Sequence, residues 1–596
     1  MAPLRVAAGA GTGKTTTVVL RLKDKIAAGI EPEEALGITF TNKAAEELSD
    51  RLRSELPELA RDGREVEVTT YHGFAYSILQ EFGAIVGVER DTPVIGPGYQ
   101  RQLIEDGLGA GRYRHLDLTF PSGRVAEAAT LGRQLGDNLR TAGDLRFSAP
   151  PPDQRDDIWE KRLEITSILE AYEEAKTRVG VVDYSDLVHL AHRLVAEHPD
   201  VAARIRSRYR LVLLDEYQDT DPAQRLFLLA LFGEAFPITA VGDADQTIYE
   251  WRGASRRNFD GFPDHFPDEA GRPAATLPLT LNRRSDRMII ELANVIRERI
   301  HGADRFDPLR PAAGAGPGSI EVSWLRTDRE EADRIADRAR ELHGEGRAWR
   351  DLAVLFRKNK SIVPVRDALL AAGIPVDVVS LGGLLTVPEI MDLHAWLRIL
   401  QDPEDSAALA RILLGGKYRL GLGDLAPLRR WVRAHDRDPA DDEQPGWPLL
   451  EAIDALDQVA GLSAEATDRL ERFRALYRRL LVEAQGVSIV ELCRSILHGI
   501  DAWTEIDSLE DHAALSARLN LYRFLDLAEG WSPLEGRPSL RGFLGYLTLL
   551  EDENAAEELD TATVSQEDAI SLLTVHRAKG LEWDVVFLPA LVAGTF

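Results

Sequence analysis

A glycine-rich turn near the start of the chain has the composition of a phosphate-binding loop. An apolar, strand-like run leads into it, and a helix-like run follows it. Glycines let successive backbone N–H groups approach a phosphate, and the following helix points its positive end at the same place. Lys14 would reach the β and γ phosphates of a bound nucleotide, and the Thr15 hydroxyl would ligate Mg²⁺. The predicted nucleotide-binding residues are Ala8, Gly9, Ala10, Gly11, Thr12, Gly13, Lys14 and Thr15.

Two adjacent acids, Asp215 and Glu216, follow the buried, strand-like run Leu211 to Leu214. An apolar strand that ends in paired acids is typical of the second half of a P-loop nucleotide site. Asp215 is expected to hold Mg²⁺, and Glu216 to polarise the attacking water. The pair therefore predicts hydrolysis of the bound nucleotide.

A further strand-like run, Ile238 to Val241, leads into a segment that contains an amide, a tryptophan and an arginine. Gln246 is placed to sense the γ-phosphate. Trp251 and Arg252 lie a few residues further on, where they could contact a base and a backbone. The segment therefore predicts a connection between a nucleotide site and a nucleic-acid site.

Polar and aromatic side chains also end the strand-like run Leu36 to Thr41. Ligands gather at the C-terminal ends of strands in open α/β sheets, so Phe40 is a candidate platform for stacking a base. Judged from these residues alone, the better interpretation places Phe40 in the core and makes Asn42 the N-cap of the next helix.

Strand-like and helix-like runs alternate in two parts of the chain, which predicts parallel sheets. Residues 84–185 and 385–560 instead show helical patterns without strand patterns, with breaks near residues 149–152 and 436–448. We interpret both as helical insertions. The strands expected in the second sheet are Ile320 to Trp324, Leu352 to Phe356, Ile374 to Val379, Ala569 to Val575 and Val585 to Leu588.

The bulk properties limit the class of protein. A length of 596 residues predicts several domains. The formal net charge of −27 weakens a nucleic-acid interpretation without excluding it, because only a local groove has to suit the phosphates. Cys493 is the single cysteine and is expected to be a buried structural thiol, which excludes an intramolecular disulfide. No membrane-length apolar run or signal-peptide pattern is present, so we expect a cytoplasmic protein with no membrane partner.

These motifs stand in the order and spacing of the UvrD/Rep-like superfamily-one DNA helicases, and the chain resembles that family over essentially its whole length. Leu281 to Ser285 is similar to the family's fourth motif, with Arg284 at the position that contacts the γ-phosphate. His576 to Trp583, after a predicted strand, is similar to its fifth motif, in which Glu582 would contact nucleotide.

The resemblance implies an α/β fold of two RecA-like P-loop domains with parallel sheets, each carrying a helical insertion. The first domain would comprise residues 1–83 and 186–285 with the insertion 84–185. The second would comprise residues 286–384 and 561–596 with the insertion 385–560. The implied cofactors are ATP and Mg²⁺, and the implied activity is DNA-stimulated ATP hydrolysis coupled to movement along single-stranded DNA in the 3′ to 5′ direction.

The resemblance also assigns roles to individual residues. The expected partners are single-stranded DNA, duplex junctions and proteins of DNA repair or replication. Catalysis is expected to depend on Lys14, Glu216, Gln246 and Arg284. The DNA contacts are expected to come from Thr39, Phe40, Asn42, His72, Tyr249, Trp251, Arg252, Thr574 and His576.

The sequence departs from the family pattern in three places. We find no counterpart of the N-terminal segment that reads adenine or of the sixth motif, and Arg283 replaces the usual aromatic residue of the fourth motif. We therefore expect a fragment truncated at both ends. The arginine of the sixth motif reaches the γ-phosphate, and such an arginine contributes roughly 10³ to 10⁵ in rate in related sites. This chain by itself is expected to bind ATP and hydrolyse it poorly.

Two alternative functions stay open at this point. One is the helicase subunit of a recombination helicase–nuclease complex, which shares these motifs. The other is a degenerate ATP-dependent DNA-binding protein without unwinding activity. Stimulation of ATP turnover by DNA separates the second alternative from a motor, because a mere binder should show none.

Overall fold

The computed structural model of the protein describes residues 2–56, 64–90, 92–119, 121–148, 156–233, 235–302, 306–378, 384–435, 449–509, 511–531, 538–550 and 568–594. The chain divides into two compact units, Met1–Ser323 and Trp324–Phe596. Each unit contains a sheet of parallel strands surrounded by helices. The predicted α/β class is therefore confirmed.

The first unit is built on a six-stranded sheet in the order β3-β2-β6-β7-β1-β8. All of its pairings are parallel. β2, β6 and β7 are buried along their whole length, as the near-continuous apolar runs of central parallel strands require. The strands are β1 (Leu4–Ala8), β2 (Ala35–Thr39), β3 (Glu67–Thr70), β6 (Leu211–Leu214), β7 (Ile238–Gly242) and β8 (Ala275–Leu279).

Apolar side chains cover both faces of this sheet, because successive strand residues point to opposite sides. Leu36 and Ile38 pack into one core cluster with Phe227, whereas Leu211 and Leu213 belong to a second cluster. The helices of this unit are Lys14–Ala27, Asn42–Glu55, Tyr71–Phe82, Pro97–Ala110, Pro121–Gly136, Ala142–Arg146, Asp156–Val179, Tyr184–Glu197, Pro199–Arg206, Pro222–Phe232, Arg256–Asp260, Phe262–His265 and Arg287–His301.

The predicted insertion 84–185 is helical over most of its described residues, but the expectation that it lacks strands is wrong. β4 (Val94–Ile95) pairs in parallel with β5 (Val182–Asp183). Two-residue strands are too short to leave a periodic pattern in the sequence, so no such pattern predicted them. The break predicted at residues 149–152 lies outside the described residues.

The segment after the fourth motif differs from its prediction. β9 (Leu281–Asn282) pairs with β10 (Arg310–Pro311), and residues 320–324, expected to be a strand, form no regular element. Val322 and Trp324 are 87% and 95% exposed, so the apolar alternation of this stretch is not matched by a neighbouring strand. The domain boundaries implied by the family resemblance, including the one after residue 285, stay predictions.

The second unit contains a four-stranded parallel sheet in the order β12-β13-β11-β14. Its strands are β11 (Leu352–Phe356), β12 (Val376–Val378), β13 (Ile570–Thr574) and β14 (Val585–Phe587). Its helices are Asp328–Gly344, Ile362–Ala371, Pro388–Gln401, Ser406–Leu414, Leu422–His435, Leu449–Asp454, Ala464–Glu483, Ile489–Gly499, Ala502–Asp507, Asp511–Gly530 and Leu540–Leu550.

Between β12 and β13 the described residues are helical, as predicted for residues 385–560, and the break expected at 436–448 lies outside them. Cys493 is fully buried in the helix Ile489–Gly499, and this burial raises the pKa of its thiol to about 12. The predicted structural thiol is therefore confirmed. Among the helices described here, none combines the length and the apolar character that crossing a membrane requires.

Candidate nucleotide site and nucleic-acid interface

The glycine-rich loop connects β1 to the helix Lys14–Ala27 at the C-terminal edge of the first sheet. Gly11 has a φ of +68°, and a Cβ atom at this position would lie 2.8 Å from the Cβ of Arg284 and from the Asn282 amide nitrogen. Both the backbone conformation and the close approach therefore require glycine. The loop that the sequence predicts is thus packed directly against the fourth motif.

Residues of the fourth motif hold the loop through hydrogen bonds. The Asn282 side-chain amide donates to the Ala10 carbonyl at 2.8 Å, and the Arg283 backbone N–H donates to the Gly11 carbonyl at 2.9 Å. The Arg283 guanidinium donates to the Thr12 carbonyl at 3.2 Å. Arg283, which lacks the aromatic character usual at this position, therefore fastens the loop by a polar contact instead.

Lys14 lies at the centre of a side-chain network. Its Nζ is 3.2 Å from a carboxylate oxygen of Glu216 and donates to the Gln246 amide oxygen at 3.0 Å. The ammonium group is thus shared by the predicted water-polarising acid and the predicted γ-phosphate sensor. Three motifs that are far apart in the sequence meet at one cation.

The acid pair emerges where β6 ends. Asp215 is buried, and its carboxylate accepts a hydrogen bond from the Glu216 backbone N–H at 2.9 Å. Glu216 has a φ of +49°, a left-handed conformation that is uncommon for a residue with a side chain and is concentrated at functional sites. The turn directs the Glu216 carboxylate to Lys14 and to the Gln218 amide.

Gln218 ties the second motif to the third. Its amide donates to Glu216, and its amide oxygen accepts from the Asp243 backbone N–H at 3.0 Å. Gln246 in turn donates to the Asp243 carboxylate at 2.7 Å. The hydrogen bonds therefore form a closed path from Glu216 through Gln218 and Asp243 to Gln246 and Lys14.

The residues predicted to hold Mg²⁺ have suitable donor atoms. Thr15 lies in the first turn of the helix that follows the loop, and Asp215 comes directly after β6, beside Glu216. A hydroxyl and a carboxylate are the hard oxygen ligands that Mg²⁺ takes beside phosphate. The donor set therefore fits the ion.

Two aromatic features lie close to the third motif. The Phe40 and Tyr249 rings stack with centroids 5.2 Å apart and planes 21° from parallel. Phe40 is only half-buried, so it does not belong to the core. Trp251 is 47% exposed within the short turn Glu250–Arg252, while the Arg252 side chain lies outside the described part of the chain.

Two other predicted DNA contacts of this unit, Thr39 and Asn42, differ in their exposure. Thr39 is 1% exposed, and its hydroxyl donates to the Thr41 carbonyl. Asn42 is exposed, but the predicted N-cap role is wrong. Thr41 caps the helix by accepting from the Ala44 N–H at 3.1 Å, because the helix begins at Asn42, one residue earlier than expected.

His72 lies in the first turn of the helix Tyr71–Phe82, with its ring edge-on to the Tyr184 ring at 6.0 Å. Burial lowers the pKa of His72, and the charge of Asp183 opposes that effect. The imidazole is therefore neutral at physiological pH, so it offers a contact by ring surface or by hydrogen bond rather than a cation for a phosphate.

The fifth-motif residues belong to the second unit. Thr574 ends β13, and its carbonyl accepts from the N–H groups of Arg577 and Ala578 at 3.0 Å, which forms a tight turn after the strand. His576 is half-buried in that turn, and Glu582 is exposed beyond it. The predicted residues thus lie together at the C-terminal edge of the second sheet.

Sequence reasoning missed four residues that shape this site. Asn282 and Gln218 lie inside recognised motifs, so their positions were a signal, although nothing indicated their partners. Arg133 donates to the Trp251 carbonyl at 2.7 Å, across 118 residues of sequence. Arg133 and Asp137, which it pairs with, stand in a helical stretch that resembles no motif, and the sequence held no signal for either.

Comparison with known proteins independently supports the family that the sequence motifs predict. A family model of the UvrD/REP helicase N-terminal domain matches residues 1–267, and a model of the UvrD-like helicase C-terminal domain matches residues 277–434 and 475–596. The chain is 28% identical to the ATP-dependent DNA helicase PcrA of Leuconostoc citreum over 606 aligned residues, which cover 100% of this chain and 75% of that relative. It is 28% identical to PcrA of Bacillus subtilis strain 168, with coverage of 100% and 76%.

Proposed function

This chain belongs to the UvrD/PcrA-like superfamily-one DNA helicases and is an ATP-dependent DNA helicase, and from that premise we propose that it moves 3′ to 5′ along single-stranded DNA. The direction comes from the family resemblance, and the observation that supports coupling of ATP to this movement is the position of Lys14, which contacts Glu216 at 3.2 Å and Gln246 at 3.0 Å. One group thereby joins the phosphate-binding loop, the acid pair and the segment that leads to Trp251.

The proposed chemistry of the nucleotide site follows from the side chains that meet there. Lys14 binds the β and γ phosphates of ATP, Arg284 contacts the γ-phosphate, and Glu216 polarises the attacking water. Mg²⁺ bound by Thr15 and Asp215 would neutralise charge on the phosphates. Because a phosphate competes for the Lys14 ammonium, nucleotide binding changes the partners of Glu216 and Gln246.

The proposed DNA grip depends on aromatic stacking. Trp251 offers an exposed ring, and the Phe40–Tyr249 pair offers a second surface near it. Stacking on aromatic rings tolerates every base, which suits an enzyme that moves along DNA of any sequence. The segment from Gln246 to Trp251 is short, so a change at the γ-phosphate can reach the stacking surface through it.

The family resemblance supplies the remaining roles. Glu582 would contact nucleotide, and Thr574 and His576 would lie along the DNA, as would Asn42, His72 and Arg252. Thr39 is buried and donates to the Thr41 carbonyl instead. The domains would be the two RecA-like cores and the two helical insertions, 84–185 and 385–560, that the sequence predicts. The pathway we propose is DNA repair, replication or recombination, with duplex junctions as substrates.

ATP turnover and strand separation together test this function. We expect single-stranded DNA to raise ATP turnover, and we expect unwinding of a duplex with a 3′ tail but not of the same duplex with a 5′ tail. A blunt duplex of the same sequence is the control. Unwinding from the 5′ tail alone would contradict the direction, and turnover that DNA does not change would favour the non-motor alternative.

A further inference from the structure

One arginine outside the helicase motifs is bonded to the turn that carries Trp251. Arg133 lies in the last turn of the helix Pro121–Gly136, within the first helical insertion. Its Nη2 donates to the Trp251 carbonyl at 2.7 Å, and its Nη1 donates to the Asp137 carboxylate at 3.2 Å. The planar guanidinium therefore joins the backbone of the stacking turn to the end of an insertion helix.

Asp137 meets the same turn at a second point. Gly253 has a φ of +91°, and a Cβ atom there would lie 2.2 Å from an Asp137 carboxylate oxygen. The turn itself is closed by the Gly253 N–H on the Glu250 carbonyl at 3.0 Å and by the Ala254 N–H on the Tyr249 carbonyl at 3.1 Å. The Asp137 carboxylate therefore fills the space that a side chain at position 253 would need.

The insertion is also bonded to the helix that follows the second motif. The Asp137 carbonyl accepts from the Ala223 N–H at 2.9 Å, in the first turn of the helix Pro222–Phe232. The Ser255 N–H, just beyond the stacking turn, donates to the Thr220 carbonyl at 2.9 Å. Asp137 thus lies where the insertion, the second motif and the stacking turn converge.

We propose that Arg133 and Asp137 are positioning residues that set the Trp251 turn for DNA and couple the first helical insertion to the DNA grip. Arg133 fixes the turn at the Trp251 carbonyl, and Asp137 holds the guanidinium and fills the space beside Gly253. The inference rests on the proposed role of Trp251 in stacking a base. It goes beyond that role, because it gives the insertion a part in DNA binding without a DNA contact of its own.

The chemistry of arginine suits this position. A guanidinium presents several N–H donors in a fixed plane, so it can bind a carbonyl and a carboxylate at once, and hydrogen bonds from a charged donor are stronger than neutral ones. A lysine at the same place supplies the charge but not the fixed fork. Arg133→Lys should therefore retain part of the function, and Arg133→Gln should retain less.

The test compares Arg133→Gln and Arg133→Lys with Arg140→Gln, which removes the same charge from an exposed residue just beyond the helix. For each variant we would measure ATP turnover without DNA, the KM for ATP, the single-stranded DNA concentration at half-maximal stimulation, and the thermal unfolding temperature. We expect Arg133→Gln to raise the half-maximal DNA concentration about five- to tenfold, with Arg133→Lys in between and Arg140→Gln unchanged. The KM for ATP should stay within about twofold.

A double variant separates this inference from the proposed function. If Arg133 acts through the turn, Arg133→Gln should add little to the loss caused by Trp251→Ala, because residues that share one route are not additive. A full additional loss would overturn the inference. It would also be overturned if Arg133→Gln lowered the unfolding temperature and reduced turnover without DNA as strongly as it reduced stimulation by DNA. If Trp251→Ala impairs stimulation and Arg133→Gln does not, only this inference fails. If Trp251→Ala has no effect, the stacking role fails first.

Discussion

Two regions of the first unit are built in opposite ways. We call the glycine-rich loop with Glu216 and Gln246 the nucleotide corner, and residues 249–254 around Trp251 the stacking turn. In the nucleotide corner, charged and amide side chains bond to one another, as Lys14 does to Glu216 and Gln246. In the stacking turn, Trp251 presents an apolar ring to solvent, and Arg133 holds its backbone carbonyl. The nucleotide corner thus gathers polar side chains around the Lys14 ammonium, whereas the stacking turn presents one aromatic surface.

This difference matches what we propose that each region recognises. A triphosphate has a fixed pattern of charge, so a corner of mutually bonded polar groups can select it by electrostatics. A passing DNA strand presents a different base at each step, and a ring stacks on all of them. Changes in the nucleotide corner should therefore reduce activity far more than changes in the turn.

The strongest test of this comparison is Lys14→Ala. Removing the ammonium takes away the contact to the β and γ phosphates, and the loss of one such group in a charge-stabilising site costs roughly 10²- to 10³-fold in turnover. We expect ATP affinity to be lost as well, measured by equilibrium binding of a fluorescent ATP analogue. Lys43→Ala, at an exposed residue of the next helix, is the matched control. Retained ATP affinity in Lys14→Ala would refute the assignment.

The next largest effect is expected from Trp251→Ala. Stacking contributes roughly 1 to 3 kcal/mol per base, so the affinity for single-stranded DNA should fall by roughly 5- to 150-fold. ATP turnover without DNA should be retained, because the ring does not belong to the nucleotide corner. Phe147→Ala removes another exposed ring of the same unit, 89% exposed, and should leave stimulation intact. Unchanged stimulation in Trp251→Ala would remove the stacking turn from the comparison.

The sequence was more informative about the nucleotide corner than about the turn. The loop, the acid pair and Gln246 follow apolar strands of one parallel sheet, so local patterns predicted both the residues and their edge of the sheet. The predictions for Arg284 and the fifth motif came from the family resemblance. The positions of Trp251 and Tyr249 were also predicted from motifs, but the Phe40–Tyr249 stack joins two motifs and had no local signal.

The sequence did not predict the contacts between residues that are far apart in the chain. Arg133 reaches Trp251 from a helix with no motif, and Arg283 fastens the loop although its type departs from the family pattern. Residues 320–324 show the opposite error, since their alternation is typical of a strand but none of the described strands pairs with them. Local pattern determines the tendency to form an element, whereas the partner that completes it is set by tertiary packing.

A smaller effect in the nucleotide corner is expected from Arg283→Ala. The guanidinium donates to the Thr12 carbonyl at 3.2 Å, so its removal loosens the loop without touching the acid pair. One hydrogen bond of this kind contributes about 1 kcal/mol, which corresponds to roughly a fivefold rise in the KM for ATP. Arg287→Ala is the control, because that side chain donates to the Gly316 carbonyl instead. A large fall in turnover at saturating ATP would show that Arg283 does more than hold the loop.

The smallest effect concerns stability at the base of the stacking turn, where two acids lie close together. Burial raises the pKa of Asp221 to about 8, and the charge of Asp137 adds to this, against the N–H groups of Gln224 and Ala223. Burial also raises the pKa of Asp137 to about 7, while Arg133 lowers it. Of these two acids at the base of the turn, Asp221 is therefore the one that favours its neutral form near pH 7, while Asp137 is paired with Arg133.

Asp221→Asn tests this consequence through the pH dependence of unfolding. The native protein keeps the Asp221 proton up to about pH 8, whereas the unfolded chain releases it near pH 4. Wild-type stability should therefore fall relative to the variant as the pH rises from about 4 to 8, since the folded state then binds more protons than the unfolded state. We expect the variant to unfold about 2 °C or more above wild type at pH 8 and to lose this advantage toward pH 4. The asparagine can still accept the Gln224 N–H as an N-cap, and the exposed Asp200→Asn is the control. A difference that does not change with pH would mean that Asp221 is ionised in the folded protein, and the stacking turn would then resemble the nucleotide corner in holding fixed charge.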